Sequence, residues 1–213
     1  MRTNNPWPVR YGGALLAVCV GVFSYRYIAN VGPVPPNVLA NRFFDHWIVV
    51  HAGAASTALI LGVLQLSGVV RQRWPGLHRA SGRLYVAGCI AGGVSALVLS
   101  AGISTGPVAA SGFGALGALW LYATTQGWRS ARARDVSRHR AWMIRSYALT
   151  FAAVTLRIYL PLSQVIGFDF SVAYRCIAWL SWVPNLVIAE VCLRQGARPR
   201  PDPRHDALHR GHE

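Results

Sequence analysis

Two histidine–arginine pairs, His78-Arg79 and His139-Arg140, lie 61 residues apart in a chain with few acidic residues. Histidine in a helical bundle typically ligates haem iron, relays protons or makes a plain hydrogen bond. Ligation of one iron by two histidines requires facing helices and equal depth, and His78 and His139 can meet that requirement. We therefore consider both histidines as metal ligands for one haem b. The alternative is that each histidine by itself only makes a hydrogen bond to a neighbour.

Arginine side chains close to these histidines could hold the carboxylates of such a cofactor. Arg83 follows His78, and Arg145 follows His139, by one to two helical turns, and guanidinium groups bind carboxylates through paired hydrogen bonds. We predict cofactor contacts for both arginines. Glu190, near the end of the last apolar segment, lies at a depth that allows an ion pair with either of them. The alternative is that both arginines extend to lipid headgroups.

His51 and Arg157 form a second candidate site, which we predict near the opposite side of the membrane. Ionisable residues at membrane depth are costly and by default mark functional positions. Arg157 lies five helical turns after His139, so the two side chains share one helix face. Between them that face carries Met143, Ser146 and Thr150. It is too polar for lipid, and we expect it to line the interior of a bundle.

An internal repeat relates the two histidines. The segment Gln65–Ala80 matches Gln126–Ala141 at an offset of 61 residues, with glutamine, arginine and His-Arg-Ala positions in common. A duplicated helical hairpin would give two parallel repeats about an axis along the membrane normal. Such an axis places His78 and His139 at matching depth. The alternative is a chance agreement between two arginine-rich connections.

Long apolar segments must position these residues. Of the 213 residues, 53% are hydrophobic and 13% are charged, about half the charged fraction of soluble domains. Apolar runs of about 20 residues recur, which is the length that crosses a hydrocarbon core. The pattern predicts six transmembrane helices at about 10–30, 44–69, 80–103, 107–128, 140–162 and 172–194. We predict an all-α, polytopic membrane protein in which spans two to five form a four-helix bundle.

The distribution of arginine predicts the orientation. The net charge of +14 comes from 21 arginines without any lysine. They flank the apolar runs, which argues against a nucleic-acid-binding domain. The connections after spans two and four and the C-terminal segment are basic, whereas 102–109 and 163–171 lack basic residues. The positive-inside rule predicts cytoplasmic N and C termini, with a bacterial cytoplasmic (inner) membrane as the location. Residues 1–194 are predicted to form the transmembrane domain, and 195–213 a disordered basic cytoplasmic tail.

Three motifs resemble those of a known family. They are HRxxGRxY at 78–85, HRxWMxRxYAL at 139–149 and TLRxYLP at 155–161. The family consists of predicted multi-pass bacterial membrane proteins catalogued as a domain of unknown function, and the resemblance runs from about His46 to Glu190. The resemblance implies a helical membrane fold, and it does not suggest any activity. A weaker likeness connects the histidine pattern to b-type membrane cytochromes, which pair histidines in both leaflets, whereas this chain offers one pair.

The function that these features favour is a membrane redox component. It would bind one haem b between His78 and His139 and exchange electrons with a quinone or another redox protein. A transporter or receptor for a small anion or lipid headgroup, with Arg145 and Arg157 as its site, is the main alternative. A structural subunit of a larger membrane complex is the third. The motifs of soluble enzymes are absent, so neither an enzymatic activity nor a catalytic residue is assigned.

Overall fold

The chain is predominantly helical over residues 7–196, which are the residues that the computed structural model describes. The helices in chain order are α1 (Trp7–Ser24), α2 (Pro36–Leu39), α3 (Phe44–Leu66), α4 (Gly68–Arg73), α5 (Pro75–Ala101), α6 (Pro107–Arg132), α7 (Val136–Thr150), α8 (Ala152–Val165), α9 (Phe170–Leu180) and α10 (Val183–Gly196). A 3-10 turn, Tyr25–Tyr27, follows α1. The predicted tail falls outside the described residues from residue 197 onward, and its disorder stays a prediction.

Proline and short acidic side chains set where the long helices begin. Pro75 and Pro107 occupy the first turn of α5 and α6, where the missing N–H group costs no helical hydrogen bond. Asp135 caps α7 by accepting a hydrogen bond from the Arg138 backbone N–H at 2.9 Å. Asp169 caps α9 in the same way. These signals start α5 and α7 a few residues before the predicted 80 and 140.

Five helices are long and apolar enough to cross a membrane within the described part of the chain. They are Phe44–Leu66, Pro75–Ala101, Pro107–Arg132, Val136–Val165 and Phe170–Gly196. The fourth combines α7 and α8, and the fifth combines α9 and α10. These correspond to predicted spans two to six and confirm a polytopic membrane protein. The predicted first span, 10–30, corresponds to the shorter α1 and its 3-10 turn, which pack along α3.

The core is a bundle of α3, α5, α6 and α7. Helix α5 packs on α3 and α6, while α7 packs on α6 and α3. Helices α5 and α7 therefore lie across the bundle from each other and run parallel. Glycine permits the close approaches: a Cβ atom at Gly88 would lie 2.9 Å from the Ala54 carbonyl oxygen, and one at Gly62 would overlap the Tyr147 ring. This bundle is the predicted four-helix core.

One end of the bundle collects the basic connections. The end of α4, the end of α6 and the end of α10 all meet there, since successive long helices alternate in direction. The arginines in these last turns are Arg71, Arg73, Arg129, Arg132 and Arg194. We refer to this end as the arginine-rich end and to the other as the opposite end. The starts of α5 and α7 both lie at the arginine-rich end.

Candidate functional site

His78 and His139 occupy equivalent positions in two parallel helices. Each is the fourth residue of its helix, counted from Pro75 in α5 and from Val136 in α7. Both side chains are partly buried, and the two imidazoles lie within electrostatic range of each other. The structure therefore brings the two predicted ligands to the same end of the bundle, at matching depth.

The imidazole of His139 is oriented by α6. Its Nδ1 atom lies 2.9 Å from the Gly127 carbonyl oxygen, so in the neutral ring Nδ1 carries the proton and donates to that carbonyl. This leaves Nε2 with its lone pair. A backbone carbonyl that fixes the far nitrogen is the usual arrangement behind a metal-ligating histidine. His139 is thus held as a ligand would be.

His78 carries an unsatisfied buried nitrogen. Its Nδ1 atom is buried and has no hydrogen-bond partner among the described residues, which is a costly state for a polar atom. The backbone around it is well bonded, since the His78 carbonyl accepts from Gln65 Nε2 at 3.2 Å. Gln65 also donates to the Ser81 hydroxyl at 2.7 Å. The backbone of this turn is therefore fixed, while the imidazole lacks a partner for one nitrogen.

One of the two predicted propionate partners is already paired within the protein. Arg145 forms a bidentate ion pair with Glu190, Nε to Oε1 and a terminal nitrogen to Oε2 at 3.0 Å. Its guanidinium also stacks on the Trp142 ring, 4.7 Å from the centroid. Arg83 is exposed beside the exposed Leu84. Of the two partners that depth allowed for Glu190, the structure selects Arg145, which links α7 to α10.

A cluster of polar side chains fills the middle of the bundle. We call it the central polar cluster; its members are Tyr85, Cys89, Trp120, Thr124, Ser146 and Thr150, all buried. The Tyr85 hydroxyl lies 2.9 Å from Ser146 Oγ and 3.1 Å from Thr150 Oγ1. The Trp120 indole N–H donates to Thr150 at 2.9 Å, and Thr124 lies 2.7 Å from Ser146.

The central polar cluster lies between the two histidines and the opposite end of the bundle. Tyr85 and Ser146 each lie seven residues beyond His78 and His139, about 10 Å along the helices. Ser146 and Thr150 are buried, as the sequence predicted.

The sequence did not predict that Trp120 and Thr124 of α6 belong to this cluster. Their signal was the spacing of Trp120, Thr124 and Gly127 at positions i, i+4 and i+7 of one helix face.

The second candidate site also comes together, at the opposite end. Arg157 lies within electrostatic range of His51 and donates to the Ala153 carbonyl at 3.1 Å. His51 Nδ1 lies 2.9 Å from the Gly92 carbonyl oxygen. Residues not considered from sequence, Arg26 and Tyr27 of the 3-10 turn, lie within electrostatic range of Arg157. This outer group is separate from the histidine pair.

The donor set restricts which metal centre the chain can hold. Among the described residues no group of three or more histidine, cysteine, aspartate or glutamate side chains converges, whereas a structural zinc site uses four ligands. A haem takes its remaining ligands from the porphyrin and needs only axial ones from the protein. The four cysteines of the described chain are free. The two histidines could serve as axial ligands, and haem binding stays a prediction.

Comparison with known proteins agrees with this membrane architecture. Residues 48–193 match the model of a family described as predicted membrane proteins, DUF2306. No curated protein and no solved structure matches the chain. The family model spans α3 to α10 and so includes both histidines, the central polar cluster and the Arg145–Glu190 pair. Because the match covers more than half of the sequence, the chain belongs to the DUF2306 family of predicted membrane proteins.

Proposed function

We propose that this membrane protein is an electron-transfer component that binds one haem b between His78 and His139. The observation that carries the proposal is the pairing itself: two histidines at the same position of two parallel helices, within electrostatic range of each other at one end of the bundle. By the positive-inside rule the arginine-rich end, and with it the haem, lies on the cytoplasmic side of a bacterial inner membrane. Both termini then also lie on that side.

The histidine environment fits axial ligation. His139 presents Nε2 because its Nδ1 is bonded to the Gly127 carbonyl. The Nδ1 atom of His78 is buried and has no hydrogen-bond partner among the described residues. The surrounding residues therefore leave one nitrogen of this imidazole unpaired. Helices α5 and α7 each pack mainly on α3 and α6. When bound there, haem would supply one-electron transfer.

Of the two arginines that the motifs suggested as propionate partners, Arg145 is neutralised by Glu190. Arg83 lies exposed on α5 and stays a proposed partner. Arg71, in the last turn of α4, is also exposed and lies within electrostatic range of His78. We assign Arg71, beside Arg83, as a cation that would face the propionates. It lies at the membrane surface, where haem propionates would reach water.

A membrane quinol is the electron donor that the surroundings favour. A groove of about 290 Å³ lies beside α3, α7 and α10, with apolar walls and Tyr147 and Asn185 among its lining residues. The Asn185 amide N–H donates within the protein, which leaves its carbonyl oxygen free to accept from a quinol hydroxyl. Oxidation of a quinol to a quinone releases two electrons and two protons. A bound haem would take up one electron and would pass it to another redox protein before it takes up the second, while the two protons would leave to water.

The alternative of one anion site formed by Arg145 and Arg157 is less well supported. The two residues lie about 18 Å apart along the α7–α8 span, in separate layers of the bundle. Arg145 is already paired with a carboxylate. A transport path through both arginines would have to break that ion pair. Arg157 alone is considered in the next section.

The absorption spectrum of the purified full-length protein tests the proposal. Expression with ample haem supply should give a Soret band and, after reduction with dithionite, the sharp α band of a low-spin bis-histidine haem. His78→Ala and His139→Ala should each lose the low-spin spectrum. His46→Ala, an exposed histidine of α3, is the matched control and should retain it. No Soret band in the wild type, or equal bands in all four proteins, would overturn the proposal.

A further inference from the structure

The opposite end of the bundle contains cations that form no ion pair with the acidic residues of the described chain. Arg157 of α8 and Arg26 of the 3-10 turn are both partly buried, and they lie within electrostatic range of each other and of Tyr27. His51 of α3 lies within range of Arg157. We call these four residues the outer cationic cluster. It is independent of the histidine pair and of any haem.

Dipoles and rings, rather than carboxylates, contact the two guanidinium groups. Arg157 donates to the Ala153 carbonyl of its own helix. Arg26 donates to the Pro33 carbonyl at 2.9 Å and to the Tyr27 hydroxyl at 3.3 Å. Its carbon Cζ lies 4.6 Å from the centroid of the Tyr27 ring. The Arg26 Nε atom is buried without a hydrogen-bond partner among the described residues.

None of the four acidic residues of the described chain forms an ion pair with Arg26 or Arg157. Glu190 pairs with Arg145, while Asp135 and Asp169 accept hydrogen bonds from the starts of α7 and α9. Asp45 is exposed in the first turn of α3, and the one ion pair within residues 7–196 is that of Glu190. A partly buried cation without a partner charge is costly. An anion from outside the chain would remove this cost.

A cavity lies next to one of these cations. It has a volume of about 390 Å³ and is lined by Arg26 together with Val22, Phe23, Val31, Gly32 and Pro33. One wall is therefore cationic and the others are apolar. Val22 and Phe23 are exposed on α1, so the apolar walls continue onto the exposed apolar surface of α1. This shape fits an amphiphile with an anionic head.

We propose that the outer cationic cluster binds an oxyanion, a phosphate or carboxylate, with Arg26 as its direct contact and Arg157 as the second cation. The apolar walls of the cavity favour an oxyanion carried on a hydrocarbon chain, as in an anionic phospholipid. A free phosphate offers the same head chemistry without the chain. Guanidinium groups bind either form through charge-assisted hydrogen bonds. The two sources differ only in their use of Val22 and Phe23.

Binding to the full-length protein in nanodiscs tests this proposal. Wild-type protein in phosphatidylcholine discs is compared with protein in discs that contain phosphatidylglycerol, and with phosphatidylcholine discs given inorganic phosphate. Lipid retention by native mass spectrometry and the thermal unfolding temperature are the readouts. We expect phosphatidylglycerol or phosphate to raise the unfolding temperature of the wild type. If phosphatidylglycerol alone raises the unfolding temperature, the ligand is an anionic amphiphile. If inorganic phosphate raises the unfolding temperature equally, the ligand is the free anion.

The variants separate this site from the arginine-rich end, which also attracts anionic lipid. Arg26→Gln should weaken retention of one phosphatidylglycerol at least tenfold, and Arg157→Gln should do the same if it folds. Arg132→Gln, an exposed arginine at the arginine-rich end, is the matched control and should leave that lipid in place. Equal losses in Arg26→Gln and Arg132→Gln, or no preference for either anion in the wild type, would overturn the proposal.

Discussion

The hydroxyl of Tyr85 lies 2.9 Å from the hydroxyl of Ser146, 61 residues further along the chain. The same offset separates His78 from His139, and Pro75 from Val136, the first residues of α5 and α7. The contact therefore fixes the relative depth of two parallel helices in the middle of the bundle. As a result, the two histidines lie level with each other at the arginine-rich end.

Tyr85→Phe tests this central contact. The substitution removes a buried hydroxyl that lies within hydrogen-bond distance of Ser146 and Thr150, and loss of a buried hydrogen-bond partner costs about 1–3 kcal/mol. We expect a lower free energy of unfolding in detergent micelles. Tyr122→Phe is the matched control, because Tyr122 is exposed on α6. Equal stability of the two variants would show that the Tyr85 hydroxyl does not hold the bundle together.

A double-mutant cycle tests the Arg145–Glu190 ion pair. Arg145→Met and Glu190→Gln should each destabilise the protein, because each leaves the partner charge uncompensated. The double variant should recover part of the loss, with a coupling free energy of about 0.5–3 kcal/mol. The measurement is chemical unfolding in micelles for all four corners of the cycle. Additive losses would indicate that the pair does not link α7 to α10. Arg83→Met with Glu190→Gln is the control cycle and should show no coupling.

Gly62→Ala tests the contact between α3 and α7. A Cβ atom at position 62 would overlap the ring of Tyr147, and overpacking of this kind typically costs about 1–3 kcal/mol. We expect a lower thermal unfolding temperature, which Tyr147→Leu in the same chain should partly restore. Gly76→Ala serves as the control, since nothing lies within 4 Å of the added atom. A Gly62→Ala variant as stable as Gly76→Ala would contradict the observed packing.

Acid should loosen the start of α7. The Arg138 backbone N–H, followed by the Ser137 hydroxyl, holds the pKa of the exposed Asp135 carboxyl below its ordinary value. Since the folded-state pKa is the lower one, the stabilisation is complete above the unfolded pKa and is lost as the pH falls through the folded value. Hydrogen exchange of the 136–140 amides should accelerate over that acid range. Asp135→Asn should exchange at a rate that does not depend on this titration. The same pH response in both proteins would contradict the cap.

The sequence predicted the membrane-spanning helices well because each is a long apolar segment, and proline begins two of them, α5 and α6. It missed the early starts of α5 and α7, since the basic residues around His78 and His139 resemble loops until the capping by Pro75 and Asp135 is considered. The predicted first span was too long because the chain turns at Tyr25–Tyr27. Such turns leave little trace in hydropathy.

The side-chain partners were harder to predict than the helices. Depth alone allowed Glu190 to pair with Arg83 or Arg145, and only the rotation of α5 and α7 about their axes distinguishes the two. Arg26 was not considered because it lies beyond the regular part of α1, although the cavity at the opposite end depends on it. The rotation of a helix about its axis and the geometry of a loop depend on packing between segments. The residue pattern of a single segment does not contain this information.

Titration of haem-free protein with hemin tests the central claim most directly. Protein purified from haem-depleted cells should bind hemin with a Soret absorbance that saturates at one equivalent per chain. The double variant His78→Ala/His139→Ala should show no saturable binding, whereas His51→Ala, at the opposite end of the bundle, should bind one equivalent as the wild type does. Absence of saturation in the wild type, or equal saturation in the double variant, would contradict the assignment of these two histidines.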